Sequence, residues 1–158
     1  MEREFITYGI HIDPEKFNRI ECGRHMYLNK PSGGLWCSPV NSNYGWKDWC
    51  NGEGYNVGSL KTWTKFKLKE TANILVIDSL VDLVRISKKY PLIPPHPITF
   101  NRLINFEDIE KDGYDGVLLT ECGNSQCHLT GISIDLNAWD CESMVLFNLE
   151  HIEIEEMV

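Results

Sequence analysis

The chain lacks any apolar run long enough to cross a bilayer. Its apolar runs are short: Ile74 to Ile77 holds four residues and Val117 to Leu119 three, where a spanning helix needs roughly 20. The opening Met1-Glu2-Arg3-Glu4-Phe5 has acids and no apolar stretch, so no secretory signal is expected. An excess of basic charge is also missing: 15 Lys and Arg against 23 Asp and Glu leave a net charge of -8. Such a chain repels phosphate on average, which disfavours passive binding to nucleic acid or an anionic membrane as its main role. Lys61, Lys65, Lys67 and Lys69 alternate in one stretch and read as the solvent face of a strand. Paired Cys-x2-Cys knuckles are absent as well. The six cysteines, at 22, 37, 50, 122, 127 and 141, are expected to be reduced thiols in a cytoplasm. Cys122, Cys127, His128 and Cys141 give a Cys-x4-Cys-His spacing unlike that of structural zinc, so no metal is expected.

What is present suits an ordinary folded domain. Hydrophobic residues make up 42% and charged residues 24%, which excludes a disordered or collagenous chain. Neither repeats nor long linkers interrupt the 158 residues, and residues 1–158 read as a single domain. The Pro-rich segment Tyr90 to Pro97 forbids helix and central strand, and reads as an extended loop within that domain.

Strands are expected at Phe5 to Ile10, Leu35 to Ser38, Trp63 to Leu68, Ile74 to Ile77, Val117 to Thr120, Ser143 to Phe147 and Ile152 to Ile154, with an extra one at Ile132 to Leu136. Ile74 to Ile77 reads as fully buried. Asp13-Pro14 marks a short helix start. Ser42 to Cys50 reads as a helix capped by Ser42, with Tyr44, Trp46, Trp49 and Cys50 at near-helical spacing. Asp78 or Ser79 caps a helix through Lys89, with Leu80, Leu83 and Val84 facing inward, and Phe106 to Lys111 is a shorter helix ended by Gly113. Glu150 to Glu156 reads as a final strand with a fraying tail. Short strands dominate and helices are few, so the fold class is α+β.

Two stretches carry chemistry. In Lys30-Pro31-Ser32-Gly33-Gly34-Leu35-Trp36-Cys37-Ser38-Pro39, paired glycines allow a close backbone approach, and an indole and a small hydroxyl follow. With Tyr44, Trp46 and Trp49 behind them, this is a surface suited to stacking on a flat ring, or else simply core. In Trp139 to Asn148, Glu142 heads an apolar strand. Alternation would put Glu142, Met144 and Leu146 on one face with Asp140 on the same side. A carboxylate there is placed to meet a cationic transition state, or faces solvent.

These motifs, in this order, resemble the ADP-ribosyltransferase superfamily, within it the branch of the poly-ADP-ribose polymerases and diphtheria toxin. Tyr8-Gly9 stands where that branch has His-Gly, Trp36 where it has the Tyr that stacks on nicotinamide, Ser38 at the small residue after it, and Glu142 at the catalytic acid. The chain also resembles small proteins of bacteria and their phages that share the Lys-Pro-x-Gly-Gly-Leu-Trp and Trp-Asp-Cys-Glu patterns. The resemblance implies two packed, mainly antiparallel sheets with a few short helices and a cleft between the sheets. It implies NAD as substrate, cleavage of the nicotinamide–ribose bond, and transfer of ADP-ribose to an acceptor that is a protein, a nucleic acid, a small molecule or water. Glu142 would stabilise the oxocarbenium-like charge. Tyr8, Gly9, Gly34, Trp36, Ser38, Tyr44 and Trp46 would hold the nicotinamide side, with the Gly9 backbone pairing with the carboxamide. His11 would reach the ribose if the strand bends. Arg19 or Arg24 would meet the pyrophosphate. Two rivals remain: a Cys37 nucleophile served by His11, His25 or His128, and a non-catalytic protein of the same fold acting through a protein partner. His96 and His151 read as solvated.

Overall fold

A computed structural model of the chain describes residues 4–22, 28–94 and 99–158. It is a mixed α+β fold with a seven-stranded, mostly antiparallel sheet and four α-helices. The strands are β1 (Glu4–Tyr8), β2 (Leu35–Pro39), β3 (Trp63–Leu68), β4 (Ile74–Ile77), β5 (Gly116–Leu119), β6 (Ser143–Leu146) and β7 (Ile152–Met157), in the order β4-β5-β6-β2-β1-β3-β7. The helices are α1 (Trp46–Glu53), α2 (Leu80–Lys89), α3 (Phe106–Lys111) and α4 (Glu121–Cys127). No helix among the described residues is long and apolar enough to cross a membrane.

The expected pair of sheets is corrected to one. The join is β2. Its Leu35 to Cys37 pair with β6, while Ser38 and Pro39 pair with β1. One short strand thus sews two groups of strands into a continuous sheet. The groups still pack on each other: Phe5, Phe66 and Leu68 share a core with Leu35, Cys37, Leu118, Met144 and Leu146. The larger core lies on the opposite face, where α2 and α3 contribute Leu83, Ile86, Phe106 and Ile109 and the strands contribute Ile77, Val117, Leu119 and Val145. Alternating side chains of β5 and β6 therefore feed two cores, which is why every residue of both strands is buried.

Several elements depart from expectation for identifiable reasons. β4 is an edge strand, so only Ile77 is buried and the other three residues are half-exposed. β1 stops at Tyr8 because Gly9 takes a left-handed φ of 84°. Helix α1 begins at Trp46, and the Asp48 carboxylate accepts the Gly45 N–H at 2.9 Å, so Ser42 is not its cap. Ile132 to Leu136 forms no strand; its backbone bonds go singly elsewhere, with Leu136 N–H donating to Cys127. α4 was not foreseen; Thr120 caps it by accepting the Gly123 N–H at 3.0 Å. The terminal strand does not fray at Glu156: it runs to Met157, and Val158 exchanges both backbone bonds with Trp63. Part of the Pro-rich loop, residues 95–98, and with it His96, lies outside the described residues.

The lysines of β3 are ion-paired. Lys65 and Lys67 each bridge Glu4 and Glu155 at 2.6 to 3.4 Å, across three neighbouring strands. Hydrogen bonding from Lys67 above all holds the Glu155 carboxyl below its ordinary value of 4.5, and hydrogen bonding to Glu155 raises both lysines. A depressed carboxyl contributes stability above its unfolded value and loses it as pH falls through the folded one. The raised lysines keep their contribution below 10.5 and lose it as pH rises through their folded values. The melting temperature should accordingly fall as pH drops below about 4.5, and Glu155→Gln should flatten part of that limb. Matching acid limbs in the two proteins would show the network to be inert. The groups are half-buried or exposed at the sheet surface, so 1 M salt should shrink the difference.

Candidate functional site

The sheet opens at its join. β1 and β2 pair at Phe5–Pro39 and Ile6–Ser38, then separate. Where the next backbone pairing would lie, the Thr7 hydroxyl donates to the Trp36 carbonyl at 2.9 Å. Side-chain replaces main-chain bonding, and Tyr8 and Trp36 come apart to leave a cleft of about 380 Å³. One wall is β1 and β2, with Tyr8, Trp36 and Ser38. Trp46 stands at the start of α1. Asn56 and Ser59 come from the 3-10 turn Val57–Lys61 and the residue before it, and Lys30, Trp139, Asp140 and Ser143 complete the lining.

The glycine turn builds this wall. Gly33 and Gly34 take φ of 72° and 71°, and the Gly34 N–H donates to Asn18 at 2.8 Å. The turn brings its own carbonyl back to the indole: Trp36 Nε1 donates to Gly33 at 3.2 Å. The Trp36 ring then packs edge-on against Trp139 at 4.7 Å. Trp139 is 1% exposed and donates its Nε1–H to the Asn29 carbonyl at 2.5 Å. Half-buried Trp36 is thus clamped at two edges while still lining the cleft. Trp46 is held likewise, stacked on Trp49 at 5.0 Å with Tyr55 edge-on to both.

Ser38 ties the acid to this assembly. Its hydroxyl donates to the Glu142 carbonyl at 3.0 Å and accepts the Trp46 N–H at 2.9 Å. The Glu142 carboxylate accepts the Ser42 hydroxyl at 2.6 Å. Ser42 therefore orients an acid, not a helix. Glu142 is half-buried, and no Lys, Arg or His among the described residues pairs with it. It does not itself line the cleft. Its neighbours Asp140 and Ser143 do, because Glu142 precedes β6 and the expected alternation does not extend to it. Burial raises the Tyr8 hydroxyl above its ordinary value, with Asp48 adding to it, so Tyr8 faces the cleft as a neutral donor.

Of the residues singled out in the sequence, Tyr8, Gly34, Trp36, Ser38 and Trp46 line the cleft and Glu142 adjoins it. The others stand elsewhere. The Gly9 N–H donates to Thr62 at 2.7 Å, so it is not available to a carboxamide. His11 is exposed and donates to the Val158 carbonyl at 3.1 Å, because the left-handed Gly9 turns the chain toward β7. Tyr44 is 42% exposed and does not line the cleft. Arg19 pairs with Glu110 at 2.9 Å on another surface, and Arg24 and His25 lie outside the described residues. Asn56 and Ser59 carry no motif that would mark them, while Lys30 and Trp139 open the two stretches singled out in the sequence but were given no role at a site. Asp140 belongs to the stretch Trp139 to Asn148.

The cysteines offer no nucleophile here. All six are free thiols. Burial pushes Cys37 well above its ordinary value, and its thiol bonds the Met144 carbonyl in the smaller core. His128 donates to the Trp139 carbonyl at 2.7 Å and His11 to the Val158 carbonyl, so among the described residues neither candidate base serves Cys37. No group of three His, Cys, Asp or Glu side chains that could hold a metal ion occurs among the described residues. No family model matches the chain, and neither a curated protein nor a solved structure matches it.

Proposed function

We propose that the chain cleaves the nicotinamide–ribose bond of NAD and passes ADP-ribose to an acceptor: a protein side chain, a nucleic-acid base, a small molecule or water. The supporting observation is the cleft at the β1–β2 separation, walled by Tyr8, Trp36 and Trp46, with Glu142 fixed beside it through Ser38 and Ser42. Three aromatic side chains give a planar ring faces and edges to rest on. In the reaction the carbon–nitrogen bond breaks with its electron pair moving to the ring nitrogen, so nicotinamide leaves neutral. The acceptor's lone pair forms the new bond to the anomeric carbon and its proton passes to solvent. Positive charge on that carbon peaks between these events, and a fixed carboxylate lowers the barrier by being worth more then than before. Glu142 has that role in this reading.

A second reading is a cleft that binds without turnover and acts through a protein partner. It is favoured by the engaged Gly9 N–H, which removes one expected contact to the carboxamide. Incubation with NAD separates the two. Free nicotinamide, followed by chromatography, is the expected product. A rise in melting temperature with NAD but no nicotinamide would leave the binder standing, and neither effect would remove both.

A further inference from the structure

The cleft wall carries a cation to which the sequence assigned no role. Lys30 is the one basic side chain lining it among the described residues, in a chain of net charge -8. Its ammonium donates to the Ala138 carbonyl at 3.1 Å and lies 4.9 Å from the centre of the Trp36 ring. An ammonium has three donors, so two remain. No carboxylate comes within 4.0 Å of it, although Asp140 lines the same cleft. The backbone beneath is fixed. Asn29 is 4% exposed, and its side chain donates to the Arg102 and Asp135 carbonyls and accepts the Ile104 N–H, at 2.7 to 3.1 Å. Its own carbonyl takes the Trp139 indole. Lys30 therefore leaves a pinned residue and is steered by an indole face and a carbonyl.

We infer that Lys30 seats a phosphate group of the cleft's ligand, which makes that ligand a nucleotide and not a free base or nucleoside. This rests on the proposed NAD chemistry for the ligand's identity, but the seat itself is a matter of charge. The ring faces of Trp36 and Trp46 hold the planar end, and the unneutralised ammonium holds the anionic one. Lys30 takes the place that the sequence offered to Arg19 or Arg24; Arg19 is paired with Glu110, and Arg24 lies outside the described residues. Asp140 repels an anion, so the phosphate belongs on the Lys30 side of the cleft.

Titration calorimetry with three probes tests this: ADP-ribose, inorganic pyrophosphate and nicotinamide. Wild type should bind all three. Lys30→Met should weaken ADP-ribose about tenfold or more, leave nicotinamide within twofold, and abolish detectable pyrophosphate binding. Lys30→Arg should restore most of the loss. ADP-ribose binding unchanged in Lys30→Met would overturn the inference, as would a wild type that binds neither phosphate probe. If Lys30→Met melts early and loses every probe, Lys30→Arg decides: recovered melting without recovered ADP-ribose binding also overturns it. Phosphate binding by wild type without nicotinamide release would keep the seat and remove the NAD-cleavage reading. Nicotinamide release whose KM for NAD ignores Lys30 would do the reverse.

Discussion

Replacing Gly33 with alanine is expected to destabilise the protein by about 3 kcal/mol or more, a fall of roughly 6 to 12 °C in melting temperature for a domain of this size. Two costs add. Gly33 has φ of 72°, where a side chain costs about 1–2 kcal/mol. An added Cβ would also overlap the Arg19 carbonyl oxygen and stand 2.9 Å from its carbon and 3.1 Å from the Asn18 oxygen. These are backbone atoms and cannot swing aside, so overpacking adds about 1–3 kcal/mol. Gly54 separates the terms. It closes α1 with φ of 64° and has nothing within 4 Å of an added Cβ, so Gly54→Ala should carry only the conformational cost. Thermal melts of the two variants check this. Equal losses would show that the turn does not press on residues 18 and 19. The point matters for function because the same turn aims Trp36 into the cleft.

The elements that could be read locally were those whose own pattern decides them. Trp63 to Leu68 alternates because one face meets Phe5 and the other carries the paired lysines. Leu83 and Ile86 in α2 fall where a helical stripe must, after the Ser79 cap. Failures came where a distant partner outvoted a local signal. Ser42 looks like a cap, but the Glu142 carboxylate, 100 residues away, takes its hydroxyl. Ile134 and Leu136 alternate with polar residues and are buried as a strand's would be, yet no neighbouring strand is there to pair with them. α4, with Gly123 and few apolar residues, has a cap and little else to announce it.

The candidate site was partly legible for the same reason. The glycine turn, Trp36 and Ser38 lie within one short stretch, and local chemistry marks it. That Glu142 stands against Ser38 is a matter of β2–β6 pairing, which periodicity cannot supply and the resemblance suggested. The carbonyl of Asn29, the residue before Lys30, takes the Trp139 indole 110 positions away, and the Lys30 ammonium meets the Ala138 carbonyl beside that tryptophan. Both residues open stretches that local chemistry marks, but no local signal brings Lys30 and Trp139 to one cleft. The number of sheets was misjudged because β2 serves both halves, three residues to one side and two to the other.

Glu142→Gln should lower nicotinamide release by roughly 10² to 10³-fold while leaving the melting temperature nearly unchanged. A carboxylate about 4 Å from a developing unit positive charge is worth about 4 kcal/mol at an effective dielectric of 20, which is close to a thousandfold in rate. The amide keeps shape and can still accept the Ser42 hydroxyl, so the fold has no reason to respond. KM for NAD should change little, because the charge appears only as the bond breaks. Asp140→Asn is the decisive companion. Asp140 lines the cleft, makes no ion pair within 4.0 Å among the described residues, and sits two residues away on the same approach to β6. Were it the group facing the anomeric carbon, Asp140→Asn would take the thousandfold loss and Glu142→Gln would be nearly silent. Ser42→Ala adds a graded check. It frees the Glu142 carboxylate without removing its charge, so the expected loss is intermediate, about 3- to 10-fold, and zero if Glu142 is not the acid. Steady-state nicotinamide release on the three variants, each with its melting temperature, assigns the acid by which one falls furthest.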